Sequence, residues 1–417
     1  GSVAHVFLSP DERWRTEVSL ENVDPAYINA LLHIEDARFY HHPGFDPFSI
    51  VRALGQNILS GSIVSGASTI TMQLVRIVEP RPRTYASKLI ELWRAMQLEM
   101  RLSKTEILEY YLSFIPFGRN IEGLEAASLA YFGHLPHHLE AEQIALLIAI
   151  PQNPNARVPS ITNKERLRRS RDHIAKLLHA KNALPLSEDQ SLEEAVLRKD
   201  VPQYLLPFPR EIPHIAMQLK ENIKAGRRIQ STIDPKIQHL LQKIIADRTE
   251  EYAQKGIHNG SAVIIDKETG EYRAMVGNLN FWSDQHAQKI PAFSVERSAA
   301  STLKPFLYAQ AIDLGIANPL RKMEDIPISF RGYRPKNYTD RFSGLVSLED
   351  ALSQSLNIPF VKLLDEISLD EFLRVLRSMG ILRFMHRRSE LGLSVAVGLE
   401  LTPLELSRAY LTLANQG

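Results

Sequence analysis

The sequence contains no cysteine among its 417 residues. Disulfide bonds and thiolate metal sites are therefore excluded. The chain also lacks a strong charge of either sign, because 49 lysine and arginine residues balance 48 aspartate and glutamate residues, for a net charge of +1. A protein so close to neutral is not a general binder of polyanions, so we expect no nucleic acid among its partners.

A long hydrophobic run is also missing. No segment approaches the ~20 apolar residues that a helix needs to span a bilayer. The densest apolar stretch, residues 144–151, is short enough for a buried helix. Gly1 and Ser2 stand in place of an initiator methionine, which is typical of a cloning scar. We therefore expect that a single-pass membrane anchor upstream of this chain has been removed.

The apolar content, 44% of the chain, is ample for two or three domains. Residues 24–150 show helical periodicity and almost no strand-like alternation, which predicts a mainly α domain. Aspartate–proline pairs at 24–25 and 46–47 each combine an N-cap residue with proline at the first helical position.

The pattern changes after a proline-rich stretch. Four prolines lie between residues 202 and 213 and indicate an extended linker. Asp234-Pro235 predicts a helix to about Gln254, and residues 261–276 read as a β-hairpin. The second half is therefore predicted to be α+β. We expect three regions, with boundaries at 14–185, 186–230 and 231–417.

Residues 163–182 predict a basic amphipathic helix. Leu167, Ile174 and Leu178 share its apolar stripe, and the remaining positions carry the arginines Arg166, Arg168, Arg169 and Arg171. A solvated charged face is the simpler interpretation. Contact with lipid headgroups or an anionic glycan is the alternative.

Two glutamates in the first half stand out. Glu35 falls seven residues after Ile28, on the apolar stripe of the predicted helix that begins at Pro25. A carboxylate held partly away from water is suited to exchange protons with a substrate. A frayed helix end that simply reaches solvent is the alternative interpretation.

The second glutamate, Glu91, lies in an apolar helix three residues after Lys88, so the two side chains can meet. Beside a lysine, Glu91 favours its ionised form and suits charge stabilisation, although a structural ion pair explains the same spacing. Between the two glutamates lie the basic residues Arg76, Arg81, Arg83 and Lys88. Carboxylates with such a basic series suggest sugar transfer from a diphosphate donor.

Five ordered motifs over these residues resemble the family 51 glycosyltransferases, which polymerise peptidoglycan. Residues 35–44 match E-D-x-x-F-x-x-H-x-G, and residues 66–73 are similar to G-[GA]-S-T-I-T-x-Q. Residues 88–91 match the end of R-K-x-x-E, with Ser87 replacing the arginine. Residues 104–127 and 149–154 resemble the remaining motifs, with Ser113 in place of an asparagine. Met72 and Arg76 are similar to the C-type subgroup of class A penicillin-binding proteins.

The resemblance implies a lysozyme-like α fold and synthesis of glycan strands from lipid II. It implies that Glu35 deprotonates the acceptor sugar and that Glu91 acts at the lipid diphosphate. No cofactor is expected beyond a divalent cation, Mg²⁺ or Mn²⁺, at the diphosphate, and no residue is assigned as a metal ligand. The substrate-binding residues implied are Asp36, Phe39, His42, Ser68, Thr69, Gln73, Arg76, Arg83 and Lys88.

The second half carries Ser301-Thr302-Leu303-Lys304, with a serine and a lysine one helical turn apart. A lysine held out of water loses its charge and can take the serine proton, which activates the nucleophile. The same spacing is common by chance, so its context matters.

That context resembles the penicillin-binding transpeptidases. Residues 301–306 match S-x-x-K-P-F, Ser355-Leu356-Asn357 matches S-x-N, and residues 333–338 are similar to Y-x-P-x-N-Y. The resemblance implies an acyl-enzyme at Ser301, with Lys304, Ser355 and Asn357 as further catalytic residues. Stem peptides and β-lactams are the implied partners of this site.

The chain departs from the transpeptidase pattern in two places. Ala299 and Ala300 stand where relatives usually have Pro-Gly. The K-[ST]-G element is absent from the sequence, and Lys267-Glu268-Thr269-Gly270 has one residue too many. We therefore expect the second domain to be C-terminally truncated and its site to be incomplete.

The sequence thus predicts a bifunctional peptidoglycan synthase, with a mainly α glycosyltransferase domain followed by an incomplete α+β transpeptidase domain. We expect it at the outer, periplasmic face of the bacterial cytoplasmic membrane, in contact with that membrane, lipid II and nascent glycan strands. Two other functions stay open. One is a lysozyme-like glycan hydrolase, and the other is a non-catalytic sensor or scaffold that binds β-lactams.

Overall fold

A computed structural model describes residues 2–60, 68–82, 84–221, 228–330 and 332–417. The chain forms two compact units, Gly1–Glu211 with Asn222–Gln230, and Ile212–Glu221 with Ser231–Gly417. Part of the region predicted as a linker packs in the first unit, where Ala195 and Val196 are buried in the core. The predicted domain boundaries, 14–185, 186–230 and 231–417, stay a prediction.

The first unit is helical, as its periodicity predicts. Its described α-helices are α1 (Pro25–Glu35), α2 (Pro47–Ser60), α3 (Ile70–Val78), α4 (Tyr85–Glu99), α5 (Lys104–Phe114), α6 (Leu124–Phe132), α7 (Ala141–Ala149), α8 (Pro154–Arg157) and α9 (Lys164–Ala180). Both predicted aspartate caps are present: Asp24 Oδ1 accepts from the Ala26 N–H at 2.9 Å, and Asp46 Oδ1 from the Phe48 N–H at 3.1 Å. These bonds satisfy donors that a helix start leaves unpaired.

A short two-stranded sheet interrupts the region that is predicted to be helical. Residues 121 and 122 form strand β2 (Ile121–Glu122), which pairs antiparallel with β1 (Pro116–Gly118). Gly123, at φ 86°, lies between β2 and α6. A side chain is strained in this left-handed conformation, so glycine permits the sharp change of direction.

The predicted basic helix forms α9, and its apolar stripe enters the core of the first unit. One of its arginines does not lie on the solvated face. Arg171 is only 1% exposed, and its guanidinium donates to the Lys199 carbonyl at 2.7 Å and to Asp172. A buried guanidinium needs such partners, because leaving water unpaired is costly. The interpretation of Arg171 as a solvated side chain is therefore wrong.

The second unit mixes helices and strands, as predicted. Its described elements are α10 (Pro213–Lys220), α11 (Pro235–Gln254), β3 (Ala262–Ile265), β4 (Tyr272–Val276), β5 (Arg297–Ser298), α12 (Lys304–Asp313), β6 (Lys322–Asp325), β7 (Gly344–Ser347), α13 (Leu348–Ser353), α14 (Ile358–Ile367), α15 (Leu369–Ser378), β8 (Glu400–Leu401) and α16 (Pro403–Ala414). The predicted hairpin is β3–β4, and β6 pairs antiparallel with β7.

The core of the second unit surrounds α12 and α14. Phe306 and Leu307 of α12 pack in one buried cluster with Phe360 and Leu364 of α14. This packing fixes the position of α12, which begins at Lys304 of the serine motif, relative to α14, which begins directly after the S-x-N motif. Across the described ranges, no helix combines the length and the apolar character that crossing a membrane requires.

Candidate active sites

The first candidate site lies at the C-terminal end of α1, where Glu35 is the last helical residue. Its carboxylate is half-buried and accepts two amide hydrogen bonds. Gln73 Nε2 donates to Oε2 at 2.9 Å, and Gln152 Nε2 donates to Oε1 at 3.3 Å. Gln73, predicted from its motif, is therefore brought onto Glu35. The orientation of the carboxylate is set by α3 and by the turn after α7.

Two buried tyrosines lie close enough to Glu35 for its charge to raise their pKa values. Tyr27 and Tyr111 are both almost fully buried. Burial raises the pKa of each phenol above its ordinary value, and the negative charge of Glu35 raises it further. Arg76 acts on Tyr111 in the opposite direction, and the Tyr111 hydroxyl donates to Gln73 Oε1 at 3.3 Å. Both phenols therefore stay neutral next to the carboxylate.

Asp36 and His42 hold the segment after Glu35. Both are buried, and His42 Nε2 donates to the Asp36 carboxylate at 3.0 Å. The Ile70 N–H, at the start of α3, donates to Asp36 Oδ2 at 3.0 Å. A carboxylate is favoured at a helix N-terminus, because four N–H groups there lack helical partners. The pair therefore attaches residues 36–42 to α3.

Phe39 and Thr69 are further predicted residues that make internal contacts. Phe39 is 1% exposed, and Lys104 Nζ lies 4.5 Å from the centre of its ring. The Thr69 hydroxyl donates to the Gly44 carbonyl at 2.7 Å and accepts from the Met72 N–H. These contacts position the segment that follows Glu35, residues 36–44. The substrate-binding roles of Asp36, Phe39, His42 and Thr69 stay predictions.

The second glutamate lies on α4. Glu91 is buried, and Lys88 Nζ is 3.5 Å from its Oε2, so the predicted contact between the two is confirmed. Lys88 Nζ also donates to the Ser68 hydroxyl. The predicted residues Ser68, Lys88 and Glu91 therefore form one polar group. Arg83 lies outside the described residues.

Among the described residues of the predicted diphosphate region, the Glu91 carboxylate lies beside the Lys88 ammonium. In the part of the chain that the structure describes, no three His, Asp or Glu side chains come together as ligands for a metal ion. These residues do not fit a cation held by several protein carboxylates. We assign no catalytic step to such a cation.

The second candidate site lies where α12 begins. Ser301 sits in a 3-10 helix, Ala300–Leu303, and Lys304 is the first residue of α12. Lys304 is 1% exposed, and burial lowers its pKa from 10.5 to about 8. Its ammonium donates to Asn357 Oδ1 at 2.7 Å, the Ser355 carbonyl at 2.7 Å and the Ser355 hydroxyl at 3.3 Å. The predicted residues Lys304, Ser355 and Asn357 are thus brought together across 51 to 53 positions of sequence.

Two residues of this site have backbones in the left-handed region. Ala300, immediately before the nucleophile, has φ 46°, and Ser355 has φ 55°. Residues other than glycine avoid this conformation, because Cβ crowds the backbone there. The alanine at position 300 is therefore strained, and a glycine there would not be.

Three supporting residues were not singled out in the sequence. Gln152 lies in the motif at 149–154 and Tyr111 in the motif at 104–127, so both motifs carried a signal. Asp325 lies in no motif, yet it is fully buried in β6 and accepts from the Asn337 amide at 2.8 and 2.9 Å. A single buried aspartate in a strand gives no pattern from which its partner can be read.

Comparison with known proteins gives two matches along the chain. A transglycosylase family model matches residues 1–179, and a penicillin binding protein transpeptidase domain model matches residues 260–417. Penicillin-binding protein 1C of Escherichia coli is 32% identical over 416 residues, which cover 99% of this chain and 52% of the relative. Penicillin-binding protein 1B of Vibrio cholerae is 32% identical over 418 residues, covering 94% of this chain and 52% of the relative.

The chain therefore spans about half the length of the curated relatives it matches. Among solved structures, a crystal structure of penicillin-binding protein 1A from Haemophilus influenzae aligns with a TM-score of 0.47 and 17% identity. The alignment covers 96% of this chain and 65% of that one.

Proposed function

Because the chain belongs to the class A penicillin-binding proteins, with a transglycosylase domain followed by a transpeptidase domain, we propose that its first unit polymerises lipid II into glycan strands. The observation that carries this proposal is the half-buried Glu35 carboxylate, held by the amides of Gln73 and Gln152. A carboxylate fixed in this way, but still open to solvent on one side, suits a general base.

In the proposed reaction, Glu35 takes the proton from a sugar hydroxyl of the acceptor. The resulting oxygen attacks the anomeric carbon of the donor, and the bond from that carbon to the diphosphate oxygen breaks. The lipid diphosphate leaves with its negative charge. Lys88 and Arg76 neutralise that charge, with Arg83 as a further predicted contributor, and the buried Glu91 keeps Lys88 oriented at 3.5 Å.

The surface of α4 supports contact with a membrane. Tyr85, Leu89 and Trp93 are 91%, 70% and 60% exposed, although all three are large and apolar. They share the helix with Lys88 and Glu91. An exposed apolar patch next to basic side chains suits a lipid–water interface, with a lipid-linked substrate entering beside it. This arrangement supports a location at the outer face of the bacterial cytoplasmic membrane.

For the second unit, we propose a serine acyl-enzyme that cross-links stem peptides and reacts with β-lactams. Ser301 Oγ attacks the carbonyl carbon of the penultimate residue of a stem peptide, and the peptide C–N bond breaks. The serine proton passes through neutral Lys304 to the leaving amine. The lowered pKa of Lys304 supports this role, because it makes a neutral amine available near neutral pH.

Within the family, the residues Met72 and Arg76 support assignment of the chain to the C-type subgroup.

Incubation with fluorescent lipid II tests the polymerase proposal. We expect a ladder of lipid-linked glycan strands together with release of lipid diphosphate. A lysozyme-like hydrolase would instead shorten preformed glycan and release no lipid diphosphate. A sensor or scaffold would leave lipid II unchanged while still reacting with labelled penicillin. Either of these results would overturn the proposal.

A further inference from the structure

A buried hydrogen-bonded series in the second unit ends at Lys304 and begins at a residue with no assigned role. Asp325 is the last residue of β6, is 0% exposed and pairs in the sheet with Gly344. Among the described residues, its carboxylate accepts from neutral donors, the Asn337 side chain at 2.8 and 2.9 Å and the Ser343 N–H at 2.7 Å. Removing a carboxylate from water costs free energy, and the hydrogen bonds from these donors must offset that cost.

The carboxylate decides which way the Asn337 amide points. Both oxygens of the Asp325 carboxylate accept hydrogen bonds here, so the NH₂ end of Asn337 faces Asp325. The amide oxygen must then point the other way, where it accepts from the Asn357 N–H at 2.7 Å. If the amide turned over, its NH₂ group would face the Asn357 N–H, and two donors would meet.

Asn357 passes this orientation on to the lysine. Its backbone N–H is held by Asn337, and its side-chain NH₂ donates to the Lys336 carbonyl at 2.7 Å. Its remaining acceptor, Oδ1, therefore faces Lys304 Nζ at 2.7 Å. Lys304 is buried, so each proton on its amine needs a partner in a fixed place. Asp325 thus orders the acceptor of the amine that lies one turn from Ser301.

We infer that Asp325 is a positioning residue for the Ser301–Lys304 site, acting through Asn337 and Asn357 and never touching the substrate. The inference rests on the proposed acyl-enzyme function of that site. It gives the Y-x-P-x-N-Y segment a task, because residue 337 of that segment joins the strand β6 to the S-x-N motif.

Substitutions that change only the donor and acceptor pattern test the inference. Asp325→Asn keeps the size but leaves one acceptor, so either the Ser343 N–H or the Asn337 amide faces a donor. Asn337→Asp places a second carboxylate against Asp325. In the double variant Asp325→Asn/Asn337→Asp, the new asparagine accepts from Ser343 and donates to the new aspartate, which accepts from Asn357. The pattern among residues 325, 337 and 357 is then complementary again, whereas the Arg341 carbonyl, which accepts from the Asn337 amide at 2.9 Å, loses that donor.

Two readouts on the 417-residue chain separate positioning from reactivity. The first is the rate of attachment of fluorescent penicillin to Ser301. The second is hydrogen exchange at the Asn357 amide, which reports its bond to Asn337 without any reaction. We expect each single variant to lose roughly 10- to 100-fold in attachment rate and in protection of the amide, since hydrogen bonds to charged groups have about this value. The double variant should recover part of both, because only the bond to the Arg341 carbonyl stays lost.

Asp365→Asn, an exposed change of the same kind on α14, is the matched control and should leave both readouts unchanged. Unaltered attachment and protection in Asp325→Asn would overturn the inference, as would a double variant no better than its singles. If neither this chain nor a longer version that supplies a K-[ST]-G element reacts with penicillin, the proposed acyl-enzyme function fails. The exchange measurement still decides whether Asp325 orders Asn357.

Discussion

The pH dependence of penicillin attachment follows from the environment of Lys304. Burial lowers the pKa of this lysine from 10.5 to about 8, a difference that corresponds to about 3 kcal/mol in favour of the neutral amine. At pH 7 a pKa of 8 leaves about one lysine in eleven neutral, whereas a pKa of 10.5 would leave about one in 3,000. The fold therefore makes the base available about 300-fold more often.

Lowering the pKa of a lysine favours its neutral form, so the reaction should speed up as the pH rises. We predict that the rate of attachment of fluorescent penicillin to Ser301 rises about tenfold per pH unit below pH 7.5. It should level off above pH 8.5, with a midpoint near pH 8. Stopped-flow or quenched-flow labelling between pH 6 and 9 measures the profile.

Two variants show whether the profile belongs to Lys304. Lys304→Met removes the amine and should abolish the rise together with most of the rate. Lys322→Met removes an exposed lysine of the same unit and should leave the profile unchanged. A profile that stays flat, or that still climbs steeply at pH 9, would refute the reasoning from burial.

Three further changes test other parts of the structure. Ala300→Gly removes a side chain from a backbone at φ 46°. We predict that the free energy of unfolding of the second unit rises by up to about 1 kcal/mol, which shifts its denaturation midpoint to a higher denaturant concentration. Unchanged or lower stability would contradict the strain. Tyr27→Phe removes a buried hydroxyl that has no hydrogen-bond partner among the described residues, so thermal unfolding should occur at an equal or higher temperature. A clear loss of stability would mean that the hydroxyl is bonded. Lys88→Met leaves Glu91 buried without its lysine, and we expect glycan polymerisation to fall at least about tenfold. Arg94→Gln on the same helix is the control, and equal rates in both variants would count against Lys88.

The elements that the sequence predicts well are those specified by local chemistry. Asp24 accepts from a helical N–H as its Asp-Pro pair predicts, and α11 begins at Pro235 and ends at Gln254. A cap and a proline act within a few residues, so their effect is visible in the sequence. The contact of Lys88 with Glu91 is of the same local kind, because residues three apart on a helix are neighbours.

Contacts between distant segments could not be predicted in the same way. The sequence pattern predicts that Arg171 is exposed to solvent. In the structure its guanidinium is buried and donates to the carbonyl of Lys199, which is 28 residues away in sequence. Asp325 gives no pattern, because its partner Asn337 is reached across a loop and not along a strand or helix. Motif resemblance placed Lys304 near Asn357, but the bond between them depends on how α12 packs against α14.

We propose above that Glu35 is the base of a glycan polymerase. The most direct test of this proposal is polymerisation of fluorescent lipid II by Glu35→Gln, which keeps the shape of the side chain and removes its charge and basicity. We predict a loss of at least about 1,000-fold, at the upper part of the range for general base catalysis, with full activity in the exposed control Glu188→Gln. A Glu35→Gln chain that still builds glycan strands at a rate close to that of the unsubstituted chain would contradict the account.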